Sequence, residues 1–342
     1  MEITTITELF EALKELGEPE HGHTRFFRGH SRISYELKPS IYRLKSGERD
    51  PFYLIKNEEK IIRDAITNCP DSFSPNDTLF EKLVRLQHYG YATRLLDLTS
   101  NVLVALYFAV NQEGEDGEVI VLDIPDSEIK YDDSDVVAVL SAISLRNSGF
   151  GIEGYLESAR DEADIAAQIY LYEQEENHKR DLGNKEYEPI HDLLENLFNS
   201  EFNKNLLDRR ASQVYQKKYI EFFNEEREIL RLLHDIRHDK PSFSPEINPK
   251  DISRVVCVRA KLNNPRIIRQ QGCFLLFGMN GKKQNCAEIK ETWIRSLSNN
   301  KLIINKEFKN RILKELKSFG ISRQNLFPEL DAQAKDIMDK YR

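Results

Sequence analysis

The stretch that decides the fold is Asn101-Val-Leu-Val-Ala-Leu-Tyr-Phe-Ala-Val110, followed after a polar break by Glu118-Val-Ile-Val-Leu-Asp123. The first run is apolar at almost every position, and Thr99 or Ser100 stands where a helix cap belongs. It reads as a helix that must be buried all round. Glu115-Asp116-Gly117 makes a turn, and the β-branched run after it reads as a buried strand. A buried helix next to a buried strand requires further layers of both kinds to cover them.

Working upstream, Thr5 or Thr7 can cap a helix carrying Leu9, Phe10, Leu13 and Leu16 on one face, with Gly17 closing it. Thr24 to Arg28 is short and aromatic-rich, a strand ending at Gly29. Residues 30–51 read as loop with a brief extended piece from Leu37 to Tyr42. Residues 53–68 and 78–89 have helical spacing. Downstream, residues 125–250 are charged, low in glycine and helical in pattern. Strands return at Ser253–Arg259 and Cys273–Phe277. The tail runs through Leu302-Ile-Ile304 to helices at 306–319, with Gly320 as its stop, and near 329–341. The fold class is therefore α+β: a discontinuous mixed-sheet domain, residues 1–124 and 251–342, interrupted by a large helical insertion over 125–250.

Composition narrows the function. The 342 residues hold 57 Asp and Glu against 49 Lys and Arg, a net charge of −8, so no wholesale basic footprint for nucleic acid is present. The four cysteines, Cys69, Cys257, Cys273 and Cys286, are far apart and form no metal-type pair. No apolar run approaches the roughly 18 residues of a membrane span, and the acidic, amphipathic start does not resemble a signal peptide. The expected setting is the cytoplasm, with no membrane partner and no metal.

Three polar clusters could carry chemistry. In Phe27-Arg28-Gly29-His30-Ser31 a guanidinium at a strand end can clamp phosphate or carboxylate, and the glycine would let a ligand approach the backbone. The plain alternative is a salt-bridged arginine beside a turn glycine. The second cluster runs from Gln87 to Thr99 and crowds His88, Arg94 and Asp97 between an amphipathic and an apolar helix. Such groups form a network or line a cavity. In the plain alternative Asp97 caps the next helix, Arg94 is its ion-pair partner and His88 is a bonded core histidine. In the third, Asn264 to Phe274, Gln270-Gln271-Gly272 stands at the entrance to a strand, or is simply a turn.

Together these clusters resemble the FRG domain, a bacterial family named for its Phe-Arg-Gly motif. The matching residues are Phe27–Ser31, Leu37-Lys-Pro-Ser40-Ile-Tyr-Arg43, Gln87–Thr99 leading to Ala105–Ala109, Gly117–Asp123, Asn264–Phe274, and the closing Gly320-Ile321 with Leu326–Asp331. The resemblance spans residues 20–123 and about 253–335. Its Arg-Gly strand and serine-bearing segment in turn resemble the opening elements of ADP-ribosyltransferases. That likeness implies NAD as co-substrate, with Arg28 on its phosphates or ribose, the Gly29 backbone on the nicotinamide amide and Ser40 supporting the pocket. Where such enzymes carry a late-strand glutamate, this chain has Gln270 and Gln271. Gln271 could bond a ribose hydroxyl, Asp97 could supply the charge and His88 a hydrogen-bonding or general-base group.

The leading expectation is an NAD-using, ADP-ribosyltransferase-like enzyme acting on a macromolecular target, as a toxin or phage-defence effector. The insertion would serve target recognition or homo-oligomerisation. One alternative is a non-catalytic module binding a nucleotide or phosphorylated ligand through Arg28, Arg43 and Arg94. Another is an RNA- or DNA-processing enzyme using His88 and the arginines, against which the net charge argues.

Overall fold

The computed structural model describes residues 1–43, 50, 52–181, 201–297, 300–330, 333, 334, 337, 338 and 341. Its strands are β1 (Glu2–Ile3), β2 (His23–His30), β3 (Leu95–Thr99), β4 (Gly117–Pro125), β5 (Ile129–Tyr131), β6 (Val255–Arg259), β7 (Gly272–Phe277), β8 (Ile294–Arg295) and β9 (Leu302–Ile304). The helices of the first half are α1 (Ile6–Leu16), α2 (Tyr53–Lys56), α3 (Glu58–Asn68), α4 (Leu79–His88), α5 (Val102–Val110) and α6 (Asp135–Ala142). Those of the second half are α7 (Glu153–Asp181), α8 (Glu201–Glu225), α9 (Arg227–Asp239), α10 (Pro249–Ile252), α11 (Pro265–Gln270), α12 (Lys309–Ser318) and α13 (Arg323–Leu326).

The strands form one mixed sheet in the order β1-β9-β4-β2-β3-β7-β6-β5, with β8 beside β4. Most pairs are antiparallel, while β1 with β9 and β5 with β6 are parallel. The fold is α+β. Chain regions far apart in sequence meet at the centre, where β2 and β3 lie between β4 and β7.

Alternation along the strands assigns the two faces. Phe27 pairs with Thr99, so both share a face with Leu95 and Asp97. Helices cover this face. Phe27, Val119 and Val121 pack with α1, α5 and α12, while Leu95, Val256 and Leu276 pack with α4, α6 and α9. The opposite face carries Phe26, Leu96, Leu98, Ile120, Leu122 and Leu275. It is covered by Ala287, Trp293 and neighbouring loop residues instead of helices.

The wholly apolar helix is found as expected, at α5, and most of it is buried. Its cap is Asn101, whose Oδ1 accepts from the Leu103 N–H at 2.9 Å. Thr99 is instead the last residue of β3, and its hydroxyl donates to the Gln270 carbonyl at 2.7 Å.

Other expectations are corrected. Leu95–Thr99 is a central strand, not part of a link between helices, because Leu95 faces one side of the sheet and Leu96 and Leu98 the other. Two of the three parts of the plain alternative for this stretch fail, since Asp97 lies in mid-strand and Arg94 pairs with Glu58, while His88 is a half-buried histidine partnered by Glu329. The piece from Leu37 to Tyr42 is not extended throughout. Ser40–Tyr42 forms a 3₁₀ turn that drives Ile41 into the core, where its N–H meets the Thr93 carbonyl at 3.2 Å. The helix expected over 53–68 breaks at Asn57 into α2 and α3. Residues 265–270 form α11, with Asn264 as cap and proline in the first turn, where its missing N–H costs nothing. Not all of 125–250 is helical, since β5 joins the sheet there. Of the last helix expected near 329–341, residues 330, 333, 334, 337 and 338 are described and helical, and 331, 332, 335, 336, 339 and 340 lie outside the described residues.

Candidate functional site

Arg28 stands on β2 two residues before its end, on the sheet face that helices leave uncovered. The ladder between β2 and β3 consists of the single pair Phe27–Thr99. In place of a next rung, the half-buried Arg28 sends Nη1–H across to the Asp97 carbonyl at 2.6 Å. Its Nε–H donates to His30 Nε2 at 2.9 Å.

The strand period places His30 on the same face as Arg28, and the ring is only 1% exposed. Because Nε2 accepts, the ring proton belongs on Nδ1, which is buried with no hydrogen-bond partner. Burial, with the cations Arg28, Arg43 and Lys301, pushes the imidazole pKa down to about 3. His30 is therefore neutral at physiological pH and holds the guanidinium from one side.

This makes a prediction. The folded pKa lies below the unfolded value of about 6.5, so the unfolded chain binds more protons between them. His30's contribution is complete above about pH 6.5. It is lost as pH falls toward 3, at no more than about 1.4 kcal/mol per pH unit. Urea midpoints at pH 7, 5.5 and 4 should show a shallower acid loss in His30→Asn than in wild type. Equal slopes would refute the buried neutral imidazole.

Arg43 completes a cluster. Its Nε–H donates to the Lys38 carbonyl at 2.8 Å. Burial lowers the Arg43 pKa, while Asp97, Tyr35 and Glu36 oppose the fall. Arg28 is likewise pulled down to about 10, mainly by burial, with Asp97 opposing and Arg43 adding to the fall. Both remain cationic at neutral pH. Among the described residues, neither arginine is ion-paired with a carboxylate within 4.0 Å.

Asp97 is exposed and lines a small cleft of about 80 Å³ with Gln87, His88, Arg266 and Gln270. His88 Nε2 lies 3.2 Å from Glu329 Oε1, and its carbonyl accepts from Arg266 at 3.4 Å. Arg28 thus meets Asp97 through its backbone carbonyl, while the Asp97 side chain lies on the helix-covered face in the small cleft with His88.

The other expected residues sit elsewhere. The Ser40 hydroxyl accepts from the Thr93 N–H at 3.2 Å, tying the 3₁₀ turn to the approach of β3. Arg94 is fully buried, clasped by Glu58 through Nε–Oε1 at 2.9 Å and bonded through Nη1 to the Phe277 carbonyl at 3.0 Å. Gln271 adopts a left-handed conformation, φ 46°, at the end of α11, and its side chain meets Ser100 at 3.4 Å. Gly29 gives a ligand no room on its side-chain face. An added Cβ would lie 1.9 Å from the Ala105 carbonyl oxygen in α5. Its missing side chain serves helix–sheet contact.

With this geometry in place, comparison with known families is informative. Residues 23–118 match the family model of the FRG domain. The chain carries an FRG domain. No curated protein matches the chain, and no solved structure does. The FRG match runs from β2 to the start of β4, so Arg28, Gly29, Ser40, Arg43, His88, Arg94 and Asp97 lie inside it and Gln271 outside. The FRG segment does not close a sheet by itself. β3 takes its second neighbour, β7, from beyond residue 270.

The sequence placed His30 in the first polar cluster without a role for it, and Glu118 in a strand without one. His30 carried a signal, since two residues past Arg28 on an extended chain is the same face. Glu118 looked like an ordinary strand residue. It lies opposite His30 in register, is 5% exposed, and meets Lys301 at 3.2 Å. No described helix is long and apolar enough to cross a membrane.

Proposed function

We propose that the FRG domain binds a nucleotide through its phosphates, with Arg28 and Arg43 as the paired cations. One observation carries this reading. Two half-buried guanidinium groups, each with its pKa pulled down mainly by burial and Arg28 further by Arg43, have no carboxylate within ion-pair distance among the described residues. Charge held from water in this way is costly, and an anion placed between the two relieves it. Phosphate suits the planar guanidinium fork better than a lone ammonium would. Arg94 takes no part, since Glu58 already satisfies it. NAD is the nucleotide that the family resemblance points to.

Calorimetry with NAD, ADP-ribose and pyrophosphate tests the proposal. Arg28→Ala should weaken all three at least tenfold, or about 1.4 kcal/mol, and Arg28→Lys should restore little of it. Unaltered affinity in Arg28→Ala would dispose of the phosphate reading.

A second reading, ADP-ribosyl transfer, draws on the Asp97 carboxylate, whose charge acts on both arginines. In it the bond from the ribose C1′ to nicotinamide breaks and nicotinamide leaves with the electron pair. A nucleophile of a macromolecular target then attacks C1′, and Asp97 stabilises the developing positive charge. Nicotinamide release on mixing the protein with NAD and cell lysate, abolished by Asp97→Asn, separates transfer from binding alone. A toxin or phage-defence role would follow if bacterial growth slowed on expression and recovered with that variant.

A further inference from the structure

A cleft of about 830 Å³ opens on the same sheet face as Arg28 and His30, and nothing so far assigns it. Its lining includes Leu37, Ile120, Ile289 and Leu302, the Tyr35 ring, and the buried Glu118 carboxylate. Three links join it to the arginine cluster. Ile120 is the register partner of Arg28. Tyr35 stands edge-on to His30, ring centroids 6.0 Å apart. Arg43 is bonded to the carbonyl of Lys38, itself in the cleft wall, and is acted on by Tyr35 and Glu36.

The two arginines adjoin the cleft through these links without lining it, and the lining itself combines apolar side chains, an exposed aromatic ring and the cations Lys38, Arg295 and Lys301. We infer that the cleft holds the base and sugar of a nucleoside phosphate, with Tyr35 packing against the base. This rests on the phosphate reading of Arg28 and Arg43 and extends it to the rest of the ligand. The volume lies within the range of roughly 300–1,000 Å³ usual for small-molecule sites. Tyr35 is 39% exposed, with Arg32 over its ring at 6.0 Å and His30 edge-on to it, and an exposed aromatic ring is a sequence-tolerant stacking platform for a base. Glu118, held by Lys301, offers acceptor oxygens to sugar hydroxyls or ring amino groups. An acyl chain fits worse, because it would lie against that carboxylate with nothing to offer it.

The test is calorimetry with pyrophosphate and with ADP on the full chain. ADP should bind at least tenfold more tightly than pyrophosphate. Tyr35→Ala should remove that advantage, and Tyr35→Phe should keep most of it. Ser296→Trp, which places a bulky ring in the cleft from an exposed lining position, should remove it too. Both positions are exposed, so the variants should melt within a few degrees of wild type. If ADP binds no more tightly than pyrophosphate, or its advantage survives both Tyr35→Ala and Ser296→Trp, the cleft inference is overturned and the arginine reading stands. If neither ligand binds, the arginine reading itself falls.

Discussion

Gly29→Ala is expected to cripple folding, losing about 3 kcal/mol or more of stability, the upper end of what overpacking costs. The new Cβ would stand 1.9 Å from the Ala105 carbonyl oxygen and 2.7 Å from the Ala109 nitrogen. Both are backbone atoms of α5, so no rotamer change relieves the contact. The helix would have to withdraw from β2, and Ala105, Leu106 and Ala109 are fully buried on it. Domains are typically stable by only about 5–15 kcal/mol, so much of the variant should be insoluble. Gly154→Ala is the control: its Cβ meets nothing within 4 Å in helix α7, and alanine favours the helix. Soluble yield and urea midpoints read the difference. A wild-type midpoint for Gly29→Ala would mean that α5 does not need the close approach. The expected result also carries a warning: lost function on substituting Gly29 is no evidence of ligand contact.

Glu58→Gln is expected to cost about 3–5 kcal/mol, the range for removing one partner of a buried ion pair. Glu58, Arg94 and Lys283 are each no more than 1% exposed. The carboxylate takes Arg94 on both oxygens and Lys283 on one, at 3.2 Å. Lys283 also donates to the carbonyls of Ser144, at 3.0 Å, and Arg146. Burial lowers the Lys283 pKa, with Glu58 opposing. For Arg94, burial also pulls downward, but Glu58 outweighs it and the pKa ends raised. Glutamine keeps the volume and one acceptor while deleting the charge, leaving two cations away from water. The cost should persist in 1 M salt, because mobile ions cannot reach the pair. Denaturation of wild type and variant at low and high salt measures it. A loss below 1 kcal/mol, or one erased by salt, would show that water enters this part of the core.

These two positions mark the limits of sequence reading here. At Gly29 the strand end was legible from the aromatic run before it, but the reason for the glycine was not. A ligand and a helix backbone make the same demand for a missing Cβ, and only packing says which is there. At Arg94 a local partner, Asp97, was the natural choice. The actual partner, Glu58, comes from a different helix and could not be found by spacing. The strand at 95–99 was missed for a related reason: with leucines on both faces it lacks the alternation that marks a half-buried strand.

The sequence by itself determined the α+β class, the buried α5–β4 pair, the strand that ends in Phe-Arg-Gly, and the FRG resemblance. Each depends on local pattern, where side-chain period and turn residues dictate the backbone. Tertiary structure alone decided which charges are spent and which remain for a ligand. It buried Arg94 against Glu58, left Arg28 and Arg43 without a carboxylate in ion-pair reach among the described residues, and opened a cleft whose lining includes Ile120, the register partner of Arg28. A charged group's role depends on what desolvates and pairs it, and those neighbours come from far along the chain.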